Sequence, residues 1–120
     1  MPERIRFLDH KGKQILLVDL SNCTPDEVSK ISRLVPSYLA PEPPDSVLLL
    51  ADFTGSKIDK SALATIKETT VYDRPHLKRS AWVGTEGLPK VFYENIRSFS
   101  QRELPTFKNR EEALEWLVSA

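Results

Sequence analysis

Two carboxylates in matching surroundings are the first residues of this chain that could do chemistry. Asp19 closes the apolar run Ile15-Leu16-Leu17-Val18 and is followed by Leu20-Ser21. Asp52 closes Val47-Leu48-Leu49-Leu50-Ala51 and is followed by Phe53-Thr54-Gly55-Ser56. Each site reads Asp, a large apolar residue, then a hydroxyl. Two carboxylates on one sheet edge can do acid–base work if one of them has a raised pKa. The sequence places no His, Cys or Lys to complete such a site, and a strand-end Asp also caps backbone amides. The pattern therefore argues for a binding edge and not an enzyme. Thr54 and Ser56 are ligand-contact candidates on that edge. Their competing role is turn chemistry, with Gly55 supplying a positive φ.

The other reactive residue types are sparse. Cys23 is the only cysteine, so an intrachain disulfide and a thiolate metal cage are both excluded. It precedes a helix N-cap, where thiolates are favoured; its other reading is a small buried side chain. His10 sits in a turn and His76 follows Pro75, neither with partners at metal-ligand spacing, so no metal or other cofactor is expected. Gly84-Thr85-Glu86-Gly87 could approach a partner or phosphate at a helix start. It lacks the spacing of a nucleotide-binding loop. Arg74, His76, Lys78 and Arg79 form a local basic cluster, suited to an anionic partner or to a solvated connector.

Composition narrows the classes. Seventeen basic and seventeen acidic residues cancel across 120 residues, which argues against broad capture of nucleic acid or of an acidic membrane. The length suits one domain with a real core. The apolar run Val47–Ala51 is far short of an integral membrane segment. The N-terminus, Met1-Pro2-Glu3-Arg4, has no apolar signal region, so a cytoplasmic location is expected.

The elements that must position these residues follow from periodicity and punctuation. Arg4–Asp9 alternates and reads as an edge strand, turning at His10-Lys11-Gly12-Lys13 into strand two, Gln14–Leu20. Thr24, Pro25 and Glu27 form a capping box that opens helix one, with Val28, Ile31, Val35 and Leu39 as its apolar stripe. Pro36 lies in that stripe and is expected to kink or end the helix near Val35. Ala40–Asp45 reads as a stiff extended connector. Strand three is Ser46–Asp52. Helix two starts at the N-cap Asp59 and runs to about Asp73, burying Leu63, Ile66 and Thr70 with Ala62 alongside. Strand four is Arg79–Gly84, its inward face undecided between Ala81/Val83 and Trp82. Helix three, about Leu88–Phe99, carries Val91, Phe92, Ile96 and Phe99. A second apolar face on it (Leu88, Phe92, Tyr93, Phe99) would serve a homodimer or a ligand. Leu104–Phe107 is a short strand, and Asn109 with Glu112 caps a final helix carrying Ala113, Leu114, Trp116 and Leu117. The order β-β-α-β-α-β-α-β-α predicts a single α/β domain with a mixed, mostly parallel sheet and an antiparallel N-terminal edge strand. Ligands and partners of such sheets meet the carboxyl ends of the strands.

In this order of elements, and in Asp52-Phe53-Thr54-Gly55 before helix two, the chain resembles the STAS superfamily, the sulfate-transporter and anti-sigma-factor-antagonist domains. It is most similar to small bacterial single-domain STAS/CRAL-TRIO-like proteins. The residues that carry the likeness are Gly12-Lys13-Gln14-Ile15-Leu16 with Asp19, Ser46–Leu50 with Asp52, and Thr54-Gly55. They continue with Pro75-His76-Leu77-Lys78, Ala81 with Val83-Gly84, Phe107, Glu111-Glu112-Ala113-Leu114 and Trp116-Leu117. The resemblance implies a non-enzymatic domain that binds a protein partner such as a kinase or an anti-sigma factor. It also implies a phosphoacceptor at the start of the helix after strand three, which falls on Ser61 within Asp59–Leu63. Lys60 and Ala62 stand where antagonists carry a small residue and Gly, which marks the chain as diverged from the phosphoswitch. The implied contact surface is Asp52 to Ser61 with Gly84 to Leu88, Thr85 included. An alternative reading, a carrier or sensor of a small apolar or lipid-like ligand, requires a lined cavity of roughly several hundred Å³.

Overall fold

The structure, a computed structural model, describes residues 4–88, 90, 91, 94 and 105–119. Its sheet runs in the order β1 (Ile5–His10), β2 (Lys13–Asp19), β3 (Val47–Asp52), β4 (Leu77–Val83) and β5 (Thr106–Phe107). The β1–β2 pair is antiparallel, and the remaining pairs are parallel. The hairpin turns on Lys11 and Gly12, both at positive φ (52° and 80°), a conformation that matches the right-handed strand twist. The fold is thus an α/β domain with a mixed sheet. Of the expected helix between β4 and β5, Lys90, Val91 and Glu94 are helical, and Phe92, Tyr93, Ile96 and Phe99 lie outside the described residues.

The central strands read as unbroken apolar runs because both of their faces are covered. Leu16, Val18, Leu49, Ala51, Phe53 and Trp82 pack beneath α1 (Pro25–Leu39) and α2 (Lys60–Asp73). Ile15, Leu17, Leu48, Leu50, Ala81 and Val83 pack under the C-terminal helix α3 (Arg110–Val118). The strand-four ambiguity therefore has no exposed answer: Ala81, Val83 and Trp82 are all buried, on opposite faces.

Caps set the helix starts. Thr24 Oγ1 accepts from the Glu27 amide while Glu27 returns a bond to the Thr24 amide, and Pro25 fills the first helical position. Asp59 accepts from the Ala62 amide, and Asn109 from the Glu112 amide.

Three expectations need correction. Pro36 does not end α1, which continues to Leu39. Val35 and Leu39 are both buried beside the sheet, so packing holds the last turn despite the backbone bond that proline removes. On α2 the buried residues are Ala62, Thr65, Ile66, Thr69 and Asp73, whereas Leu63 and Thr70 are only half-buried. The connector after α1 is also no extended rod: it folds into turns, with the Glu42 amide bonded to the Leu39 carbonyl and Asp45 at positive φ.

Candidate functional site

The parallel register of β2 and β3 sets Asp19 beside Asp52. Each carboxylate closes a small turn with the hydroxyl residue two positions on. Asp19 Oδ1 accepts from the Ser21 amide (3.0 Å) and Ser21 Oγ (2.5 Å). Asp52 Oδ1 accepts from the Thr54 amide (2.9 Å) and Thr54 Oγ1 (2.6 Å). The repeated Asp–apolar–hydroxyl motif is thus a pair of Asx turns at the carboxyl edge.

Both carboxylates then converge on Arg110, the first residue of α3. Its Nε donates to Asp52 Oδ2 at 2.6 Å, and its Nη2 lies 3.1 Å from Asp19 Oδ1. Arg4 reaches the same corner, donating to the Ser21 carbonyl at 2.8 Å and lying 3.6 Å from Asp19 Oδ1. Burial alone would raise the Asp19 carboxyl. The Ser21 hydrogen bonds and the Arg110 and Arg4 charges outweigh it and hold that carboxyl below its usual value. Burial would likewise lower Arg110, but Asp52 and Asp19 keep its guanidinium above its ordinary value. A general acid near neutral pH needs the opposite shift. The pair acts as an ion-paired frame.

That frame holds three turns side by side. The Leu20 amide donates to the Asp52 carbonyl, the Asn22 amide to the Thr54 carbonyl, the Phe53 amide to the Val83 carbonyl and the Lys57 amide to the Cys23 carbonyl. Gly84 takes φ +75°, and a Cβ there would strike the Thr54 backbone; only glycine lets the β3 and β4 turns touch. Gly55 takes φ +70°, with the Asn22 side chain where a Cβ would stand.

The sequence-derived candidates fall into two groups. Thr54, Gly55, Asp59 and Ser61 are exposed, and Thr85 is half-buried. Asp52 and Ser56 are buried, and Ser56 Oγ donates to the Phe53 carbonyl at 2.8 Å. Ser61 stands in the first turn of α2, two residues after its cap. Cys23 is buried, which pushes its thiol up and away from reactivity. Among the described residues no group of His, Cys, Asp and Glu could hold a metal. Nor is any helix among them long and apolar enough to cross a membrane.

The basic cluster does not form one patch. Arg79 lies over the Trp116 ring at 4.5 Å and donates to the Trp116 carbonyl. His76 Nδ1 is 2.9 Å from the Glu42 carbonyl oxygen, and Lys78 is exposed.

Sequence reasoning missed Arg110 and Asp73. Arg110 had a signal: a cation at a helix N-terminus opposes the helix dipole and calls for anions nearby. Asp73 had one too. It continues the spacing of Ala62, Ile66 and Thr69, so a carboxylate occupies an apolar-stripe position. It lines a pocket of about 80 Å³ between α1, α2 and the sheet.

No family model, curated protein or solved structure matches this chain.

Proposed function

We propose that this protein is a cytoplasmic, non-enzymatic regulatory domain that binds a protein partner through the carboxyl edge of its sheet. The reading draws on the sequence resemblance to STAS antagonists, and its partner class is a kinase or an anti-sigma-factor-like protein. The observation that carries it is the construction of that edge. Arg110 ion-pairs with both strand-end carboxylates, while Thr54, Gly55, Asp59 and Ser61 stay exposed on that base. Such an edge suits docking better than acid–base chemistry, because its carboxylates are already committed.

Ser61 suits a switch on this surface. A phosphate at the first turn of α2 would add nearly two negative charges close to the Asp59 carboxylate, altering any interface formed there. The test is affinity capture from the source lysate with the wild-type chain and with Ser61→Asp, read by quantitative mass spectrometry. A stoichiometric partner retained by the wild type and lost by Ser61→Asp supports the reading. Equal recovery by both removes Ser61 as a switch. If wild-type and variant chains retain no partner, the docking function itself fails.

A further inference from the structure

The pocket between α1, α2 and the sheet has an apolar wall and a polar strip. Val35 from α1, Leu49 from β3, Phe53 just after that strand, Ile66 from α2 and Trp82 from β4 form the wall. The strip is the last turn of α2, with Thr69, Thr70 and Asp73, and Ser32 from α1 and Ser80 from β4 complete the polar lining. Asp73 is 9 % exposed, and its Oδ1 has no hydrogen-bond partner among the described residues. A buried carboxyl oxygen left without a donor is costly, so such a group calls for an explanation.

The threonines define what is missing. Thr70 Oγ1 donates to the Ile66 carbonyl at 2.7 Å, and Thr69 Oγ1 lies 3.1 Å from the Thr65 and Ile66 carbonyls. Their hydroxyl protons are therefore used within the helix, and only lone pairs remain for the pocket. Asp73 Oδ1 offers lone pairs as well. The α2 strip is thus a set of acceptors at the C-terminal end of a helix, where the backbone dipole favours positive charge, while Ser32 and Ser80 add hydroxyls that can accept as well as donate.

We propose that this pocket binds the ammonium group of a small aliphatic primary amine, with Asp73, Thr69 and Thr70 as acceptors and the apolar wall around its carbon body. An ammonium brings three donors to this strip, whereas an alcohol brings one and a hydrocarbon none. A carboxylate or phosphate would meet acceptors and the negative end of the helix. Burying the cation is tolerable because a carboxylate and further acceptors face it together. The volume sets the size at about four or five non-hydrogen atoms, given that a cavity of about 150 Å³ holds benzene. A lipid chain does not fit. This site shares only Phe53 with the carboxyl-edge surface and does not depend on the docking function.

The test is methyl NMR of the full chain titrated with isobutylamine at neutral pH, with isobutanol as the single-donor control of equal size. The proposal expects saturable shifts of the Val35, Leu49 and Ile66 methyls, and affinity for the amine at least roughly tenfold above that for the alcohol. Asp73→Asn should weaken amine binding by roughly tenfold or more. Thr70→Leu, which fills the pocket from a half-buried position, should abolish it and serves if Asp73→Asn does not fold. Absence of saturable shifts, equal affinity for isobutanol, or unaltered binding by either folded variant would overturn the proposal.

Discussion

Replacing Asp73 with Asn should flatten the pH dependence of stability, by an amount that follows from its burial. Burial alone pushes the Asp73 carboxyl up from 3.8 to about 7. An acid whose folded pKa exceeds its unfolded value keeps its proton longer in the folded state. Between those two values the unfolded chain has lost a proton that the folded chain retains, so stability falls as pH rises. The whole span corresponds to about 4 kcal/mol, of which about 2 to 3 kcal/mol falls between about pH 5 and about pH 8. Asn has the same shape and cannot ionise. Urea unfolding of both proteins, followed by tryptophan fluorescence, measures the difference at those two pH values. The variant should gain about 2 to 3 kcal/mol on the wild type across the interval. All other ionisable groups are common to both chains, so their contributions cancel. Parallel stability curves would refute the reasoning, because they would mean that Asp73 is hydrated or paired in solution.

Three further outcomes are expected. Arg110→Ala should destabilise the fold by about 2 kcal/mol, since it leaves the buried Asp52 without its cation and Asp19 with Arg4 alone. Arg110→Lys should recover only part of that loss, because a point charge cannot bridge two carboxylates as a guanidinium does; denaturant titration ranks the three. Gly84→Ala should cost about 2 kcal/mol or more, against about 1 kcal/mol for Gly12→Ala. Both glycines have positive φ, but only at Gly84 would the new methyl meet backbone atoms; the two melting temperatures give the comparison. Pro36→Ala should stabilise the domain by about 1 to 3 kcal/mol by restoring a helical donor. A lower unfolding midpoint would show that the proline is better accommodated than that.

Much of the fold was legible in the sequence because local chemistry specifies it. Thr24, Pro25 and Glu27 name a helix start on their own, and so does Asp59. The unbroken runs at Ile15–Val18 and Val47–Ala51 announced strands covered on both sides. Even the matching Asp–apolar–hydroxyl turns could be placed on one edge. Pro36 misled because its cost is local while its compensation, the burial of Val35 and Leu39, is tertiary. The candidate site was half legible for the same reason. Asp19 and Asp52 show their positions at the ends of similar strands, but Arg110 reaches Asp52 across 58 residues of chain. No local pattern states that contact. Asp73 shows its stripe position in the helix spacing, but only packing against the sheet makes its environment apolar.

Native mass spectrometry of the protein purified from its own source, compared with its denatured mass, tests the docking function most directly. The account predicts a non-covalent assembly with a second polypeptide. It also predicts that any fraction carrying one covalent phosphate appears free of that partner. A chain that is unmodified, partner-free and loaded with a ligand of a few hundred daltons would contradict it and establish a carrier instead.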